Sequence, residues 1–221
     1  MKSFGILLAG CGFWDGSDVW ESVLISYFLS RRKMPYSFLT LDMSQKEVVD
    51  HITANSFPQT RSLLSESARI GGSEMKILED VALEQLLGLF IPGGWGLLKN
   101  LSEFDLEQNS FGVDKRVKIF LRSIHRRKKP MGGCGLATFL LAFCLNDLSG
   151  SPINLTLGND AKLSKKLEGF GVNHVISKAS EAVVDKEHKI VTTPGTLLKK
   201  NISEVSSGIE NLVLGVLELT C

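Results

Sequence analysis

Short apolar runs alternate along this chain with longer stretches whose apolar residues recur at helical spacing. That alternation predicts a three-layer α/β domain around a mostly parallel sheet. Phe4–Leu8 predicts a first buried strand, Tyr36–Leu41 a second and Leu87–Ile91 a third. Pro130–Gly133 enters a short central strand, Ile153–Leu157 predicts another, and Ala182–Asp185 with Lys189–Thr193 reads as a hairpin. Between them, Val19, Val23, Tyr27 and Phe28 are expected to form the inner face of a first helix, closed by Arg31, Arg32 and Lys33 and stopped by Pro35. Val117, Phe120, Leu121 and Ile124 predict the inner face of a helix over Val113–His125. Leu136–Asn146 leaves the central strand as a buried helix, and a last helix runs from about Ser203 to Leu219. The less regular stretch Asp42–Asp80 reads as an insertion covering one end of the sheet. No repeat or linker divides residues 1–221, so one domain is expected, with a pocket at the carboxyl ends of the strands.

Composition narrows the picture. The 221 residues include 43% hydrophobic and 22% charged side chains, with 25 Lys+Arg against 24 Asp+Glu. That is the make-up of a globular protein with a full core, and its near-zero net charge gives no reason to expect nucleic acid as a partner. The apolar runs Ile6–Ala9 and Leu136–Leu145 fall short of a signal-peptide core and of a membrane span respectively, so no membrane partner is expected. Cys11, Cys134, Cys144 and Cys221 show no CxxC spacing, which favours reduced thiols and a cytoplasmic location. The four histidines are scattered, with no HxH or HExxH, so no metal is expected. His125 with Arg126–Lys129 reads as a solvated helix end.

Three loops should meet at the carboxyl edge. Gly10–Glu21 combines a thiol, three carboxylates and two tryptophans at a helix start. Ser17 or Asp18 suits an N-cap, which leaves Glu21 on the first turns, near the sheet edge. Pro92-Gly93-Gly94-Trp95-Gly96 follows a strand, and its glycines could aim backbone N–H groups at an oxyanion. Pro130–Ala137 runs through small residues from strand into helix, the pattern of a nucleophile elbow, and a thiol there would sit near a helix N-terminus.

Taken in order, these motifs resemble the sigma cross-reacting protein, or enhancing-lycopene-biosynthesis, family, a branch of the PfpI-type class I glutamine-amidotransferase-like superfamily. The likeness rests on Gly10-Cys11-Gly12 with Asp15-Gly16-Ser17 and Glu21, on Thr60-Arg61 and Glu66–Ile70, and on Pro92-Gly93-Gly94 with Lys99–Ser102. It continues through His125, Lys129-Pro130 and Gly132, Lys189–Pro194, and Ser207-Gly208-Ile209. The resemblance implies a flavodoxin-like sandwich, a homodimer, and a cofactor-free glyoxalase-like reaction on a small carbonyl metabolite such as glyoxal or methylglyoxal. In that scheme a thiolate adds to the aldehyde carbon, Glu21 assists proton transfer, and amides near Gly93, Gly94 and the elbow hold the oxyanion, with Trp95 and Cys11 nearby.

Counted from Lys129-Pro130, however, the family's nucleophile position is Gly135, and Cys134 occupies the residue before it. Successive strand side chains point to opposite faces, so Cys134 is expected to turn away from the site. Three readings are open at this point. The elbow is inert toward dicarbonyls; a one-residue shift brings Cys134 into place; or Cys11 supplies the thiol. A small-metabolite-binding role and redox sensing are the alternatives to catalysis. For the dimer surface the candidates are Leu212, Val213 and Val216 on the last helix.

Overall fold

The computed structural model describes residues 2–103 and 112–220; Cys221 lies outside the described residues. Seven strands form one sheet in the order β3-β2-β1-β4-β5-β9-β8. These are β1 (Ser3–Leu7), β2 (Tyr36–Thr40), β3 (Lys76–Ile77), β4 (Leu86–Ile91), β5 (Met131–Cys134), β8 (Val183–Asp185) and β9 (Ile190–Thr193). All pair in parallel except β8, which returns antiparallel to β9 as the expected hairpin.

The central strands read as unbroken apolar runs because both faces of the sheet are covered. Phe4, Ile6, Leu8 and Phe90 face one core, built with α1 (Val19–Arg31) and α7 (Ile202–Glu218). Leu7, Ala9, Leu89 and Ile91 face the other, built with α3 (Trp95–Leu101), α4 (Lys115–Arg126) and α5 (Ala137–Leu145). The same period of two runs through β5: Met131 belongs to the second core and Cys134 to the first. Helix α4 buries Val117, Phe120, Leu121 and Ile124 as expected, and α5 is buried on nearly every side. Among the described residues no helix is long and apolar enough to cross a membrane.

Four expectations are corrected. On α1 the buried apolar side chains are Ile25, Phe28 and Leu29, whereas Val19, Val23 and Tyr27 are 40–51% exposed. Both sets have helical spacing, and only contact with α7 chooses between them. Asp42–Asp80 is more than a cover: it contains α2 (Leu63–Gly71) and the edge strand β3. The stretch Ile153–Leu157 yields only β6 (Asn154–Leu155), paired with β7 (Asn173–His174) outside the main sheet. There Thr156 turns its N–H to Thr192 Oγ1, and Gly158 adopts φ +88°. Finally, Leu212, Val213 and Val216 are fully buried against the sheet and offer no surface to a partner.

Candidate functional site

The carboxyl ends of β1, β4, β5 and β9 carry the site. Asp18 caps α1, its Oδ1 accepting from Glu21 N at 3.1 Å, and this places Glu21 on the first turn, only 1% exposed. Around the Glu21 carboxylate two backbone N–H groups and one hydroxyl converge. Oε2 accepts from Gly93 N at 2.6 Å; Oε1 accepts from Thr196 N at 2.8 Å and lies 3.1 Å from Thr196 Oγ1. Thr196 Oγ1 also donates to Asp18 Oδ2 at 2.9 Å, so one hydroxyl bridges two buried carboxyl groups. Burial, reinforced by the neighbouring Asp18 charge, pushes the Glu21 carboxyl up to about 8 against the pull of these donors. A protonated Glu21 can donate from Oε1 to Thr196 Oγ1, which passes its own proton toward Asp18.

The elbow follows β5. Gly135 has φ +48°, a left-handed backbone that suits a residue without a side chain. A Cβ there would stand 3.4 Å from Glu21 Oε1, 3.3 Å from Leu197 Cγ and 3.3 Å from Pro194 O. Residue 135 therefore faces the acid, and the short turn Gly195–Leu198 closes over it. Cys134, one residue earlier, is fully buried in the core shared with α1 and α7. Burial raises its thiol well above the ordinary range, Glu21 and Asp18 add to the rise, and no hydrogen bond joins its sulfur to Glu21 among the described residues.

The remaining expected residues divide. Gly93 N–H is spent on Glu21 and Gly135 N–H on Thr193 O at 2.9 Å, so neither points into open space. Gly94, at φ +112°, lets two loops touch: a Cβ there would stand 3.0 Å from Asp18 N. Cys11 is half-buried beside Ser17, its thiol raised mainly by burial, and it does not line the cavity. Trp95 does. In front of Asp18 and Thr196 opens a cavity of about 560 Å³, walled by Phe13, Trp14, Trp20 and Trp95. Thr196 is not among the residues the sequence indicates, whereas Trp20 is one of the two tryptophans of the Gly10–Glu21 loop. Thr196 follows a strand end, where a parallel sheet gathers its functional loops, and that position was the available signal.

No histidine reaches the elbow among the described residues. His51 sits at the cavity mouth, Nε2 3.6 Å from Asp15 Oδ1. His174 accepts from Leu157 N, and His125 stacks on His188 with centroids 6.4 Å apart, half-buried rather than fully solvated. No group of three or more metal-ligating side chains occurs among the described residues.

No family model matches the chain. Individual relatives do. The ES1 protein homolog of Rattus norvegicus, a mitochondrial protein, is 31% identical over 225 residues, covering 97% of this chain and 83% of its own. The human glutamine amidotransferase-like class 1 domain-containing protein 3, also mitochondrial, is 31% identical over 97% of this chain and 82% of its own. The chain belongs to the ES1 family of glutamine amidotransferase-like class 1 proteins. Among solved structures, an isoprenoid biosynthesis protein with an amidotransferase-like domain from Ehrlichia chaffeensis superposes with a TM-score of 0.90. It is 27% identical and covers 98% of this chain and 99% of its own. DJ-1 of Schizosaccharomyces pombe shares the fold alone, with a TM-score of 0.59 at 13% identity over 98% of this chain and 90% of its own. The chain thus has the flavodoxin-like sandwich of the Ehrlichia protein, a fold that DJ-1 shares, with Gly135 between β5 and α5.

Proposed function

We propose that this protein binds a small metabolite in the tryptophan-walled cavity and performs no covalent dicarbonyl chemistry at its elbow. The observation that carries this reading is Gly135: the position facing Glu21 has no side chain, and a Cβ there would already stand 3.3–3.4 Å from its neighbours. Covalent conversion of an aldehyde needs a thiolate that attacks the carbonyl carbon. Cys134 is fully buried, its proton held by desolvation, and it does not line the cavity. The acid apparatus remains, with Glu21, Thr196 and Asp18 in one hydrogen-bonded chain. Incubated with methylglyoxal or glyoxal, the purified protein is expected to form no hydroxy acid above a buffer blank. Turnover that disappears in Cys134→Ser would overturn the reading.

The homodimer expected from family resemblance we place on α1. Val19, Trp20, Val23 and Tyr27 are 40–51% exposed, and Glu21, the only charged residue from Val19 through Ser30, is buried. A charge-free helix face of this kind can meet its own copy across a two-fold axis. Val23→Glu is expected to shift the sedimentation coefficient from dimer to monomer at micromolar protein, and an unchanged dimer sinks this placement.

A further inference from the structure

Asp18, at the cavity wall, and Glu21 behind it have no counter-ion among the described residues. Asp18 is 7% exposed and Glu21 1%, yet neither forms an ion pair with a described Lys, Arg or His. Their hydrogen bonds come from neutral donors: Glu21 N, Gly93 N, and the N–H and hydroxyl of Thr196. Leaving a charge buried and unpaired is costly, and folded proteins as a rule supply it with a partner. The two basic side chains at the mouth do not serve. His51 accepts from Trp14 N through Nε2 and meets the carbonyl of Val49 through Nδ1, and Lys199 is exposed to water.

The cavity in front of Asp18 supplies a second, independent observation. It is walled by Trp14, Trp20 and Trp95, which are all three tryptophans of the chain. Indole offers a cation the most favourable aromatic face, and the attraction strengthens where water is excluded. A volume of about 560 Å³ is in the range that holds a drug-sized molecule, far more than a two- or three-carbon dicarbonyl fills.

We propose that the cavity takes an organic cation, an alkylated ammonium on an apolar or aromatic body, with the cationic head between the indoles and the Asp18 carboxylate. The proposal rests on the metabolite-binding reading above and names the chemical class of the ligand. Asp18 and the indoles set the preference for positive charge, and the apolar walls hold the body. Thr196, bonded to Asp18, orients the carboxylate without needing to touch the ligand.

Three soluble probes of nearly one shape test it on the intact protein, read by tryptophan emission. They are 3-(trimethylammonio)phenol, its neutral carbon isostere 3-tert-butylphenol, and the anion 3-hydroxybenzoate. The cation is expected to bind about tenfold or more tighter than the neutral isostere, and the anion more weakly than both. Asp18→Asn keeps the side-chain oxygen that caps α1. It should bring cation and neutral probe to within about threefold of each other. Equal or tighter binding of the neutral or anionic probe overturns the cationic preference and leaves the cavity standing as an apolar site. A cation preference that survives in Asp18→Asn overturns the role of Asp18. Silence from all three probes overturns both this proposal and the binding reading beneath it.

Discussion

Gly135→Cys is expected to create the reactive thiol that the wild-type elbow does not have. The new Cβ would stand 3.4 Å from Glu21 Oε1, close to the N-terminus of α5, where thiolate is favoured. Two costs oppose it. A side chain at φ +48° is strained by about 1–2 kcal/mol, and Leu197 and Pro194 must give way by a few tenths of an ångström. The variant should therefore melt several degrees lower while remaining folded. Iodoacetamide followed by peptide mass mapping should then find residue 135 alkylated at least about tenfold faster than Cys134. Faster labelling of Cys134 would mean that the elbow apex has been misassigned, and with it the reason for expecting no dicarbonyl turnover.

Titrating the wild-type protein from acid to alkali should weaken it in a way that Glu21→Gln does not. The folded-state value of Glu21, about 8, lies above its ordinary 4.5, so the native state holds the proton more tightly than the unfolded chain. The resulting stabilisation is complete below about 4.5 and is lost progressively as the pH rises to about 8. With the carboxyl 1% exposed the loss should be on the order of 5 kcal/mol. Glutamine cannot titrate. It also cannot accept from both Gly93 N and Thr196 N, since one of its two terminal atoms is a donor, so Glu21→Gln should start about 1–3 kcal/mol weaker at low pH. Urea denaturation across this pH range measures both effects. Parallel slopes for the two proteins would show that Glu21 is already ionised, and the Glu21–Thr196–Asp18 proton chain would then be wrong.

Much of the fold could be read along the chain, for identifiable reasons. β1 and β4 are buried on both faces, so their unbroken apolar runs can be little else. Helix α4 has one wet and one dry face, and its apolar spacing names Val117, Phe120, Leu121 and Ile124 directly. Helix α1 misled because both its faces are apolar: burial went to Ile25, Phe28 and Leu29, and Val19, Val23 and Tyr27 stayed outside. The short pair β6 and β7 had no periodicity long enough to show that it stands apart from the main sheet.

Within the site, the chain order of Gly93, Cys134, Gly135 and Glu21 and the period of two along a strand are properties of the sequence. They suffice to predict that a thiol at residue 134 turns into the core and that the apex at 135 carries none. Which groups complete the site is a different kind of information. Thr196 lies 175 residues from Glu21, and Trp14, Trp20 and Trp95 come from one loop and two helix starts that only the parallel sheet brings to one edge. The proton held by Glu21 and the missing counter-ion of Asp18 depend on how much water and which charges surround them. Solvent exclusion is set by packing in three dimensions, so no local pattern of residues could have announced it.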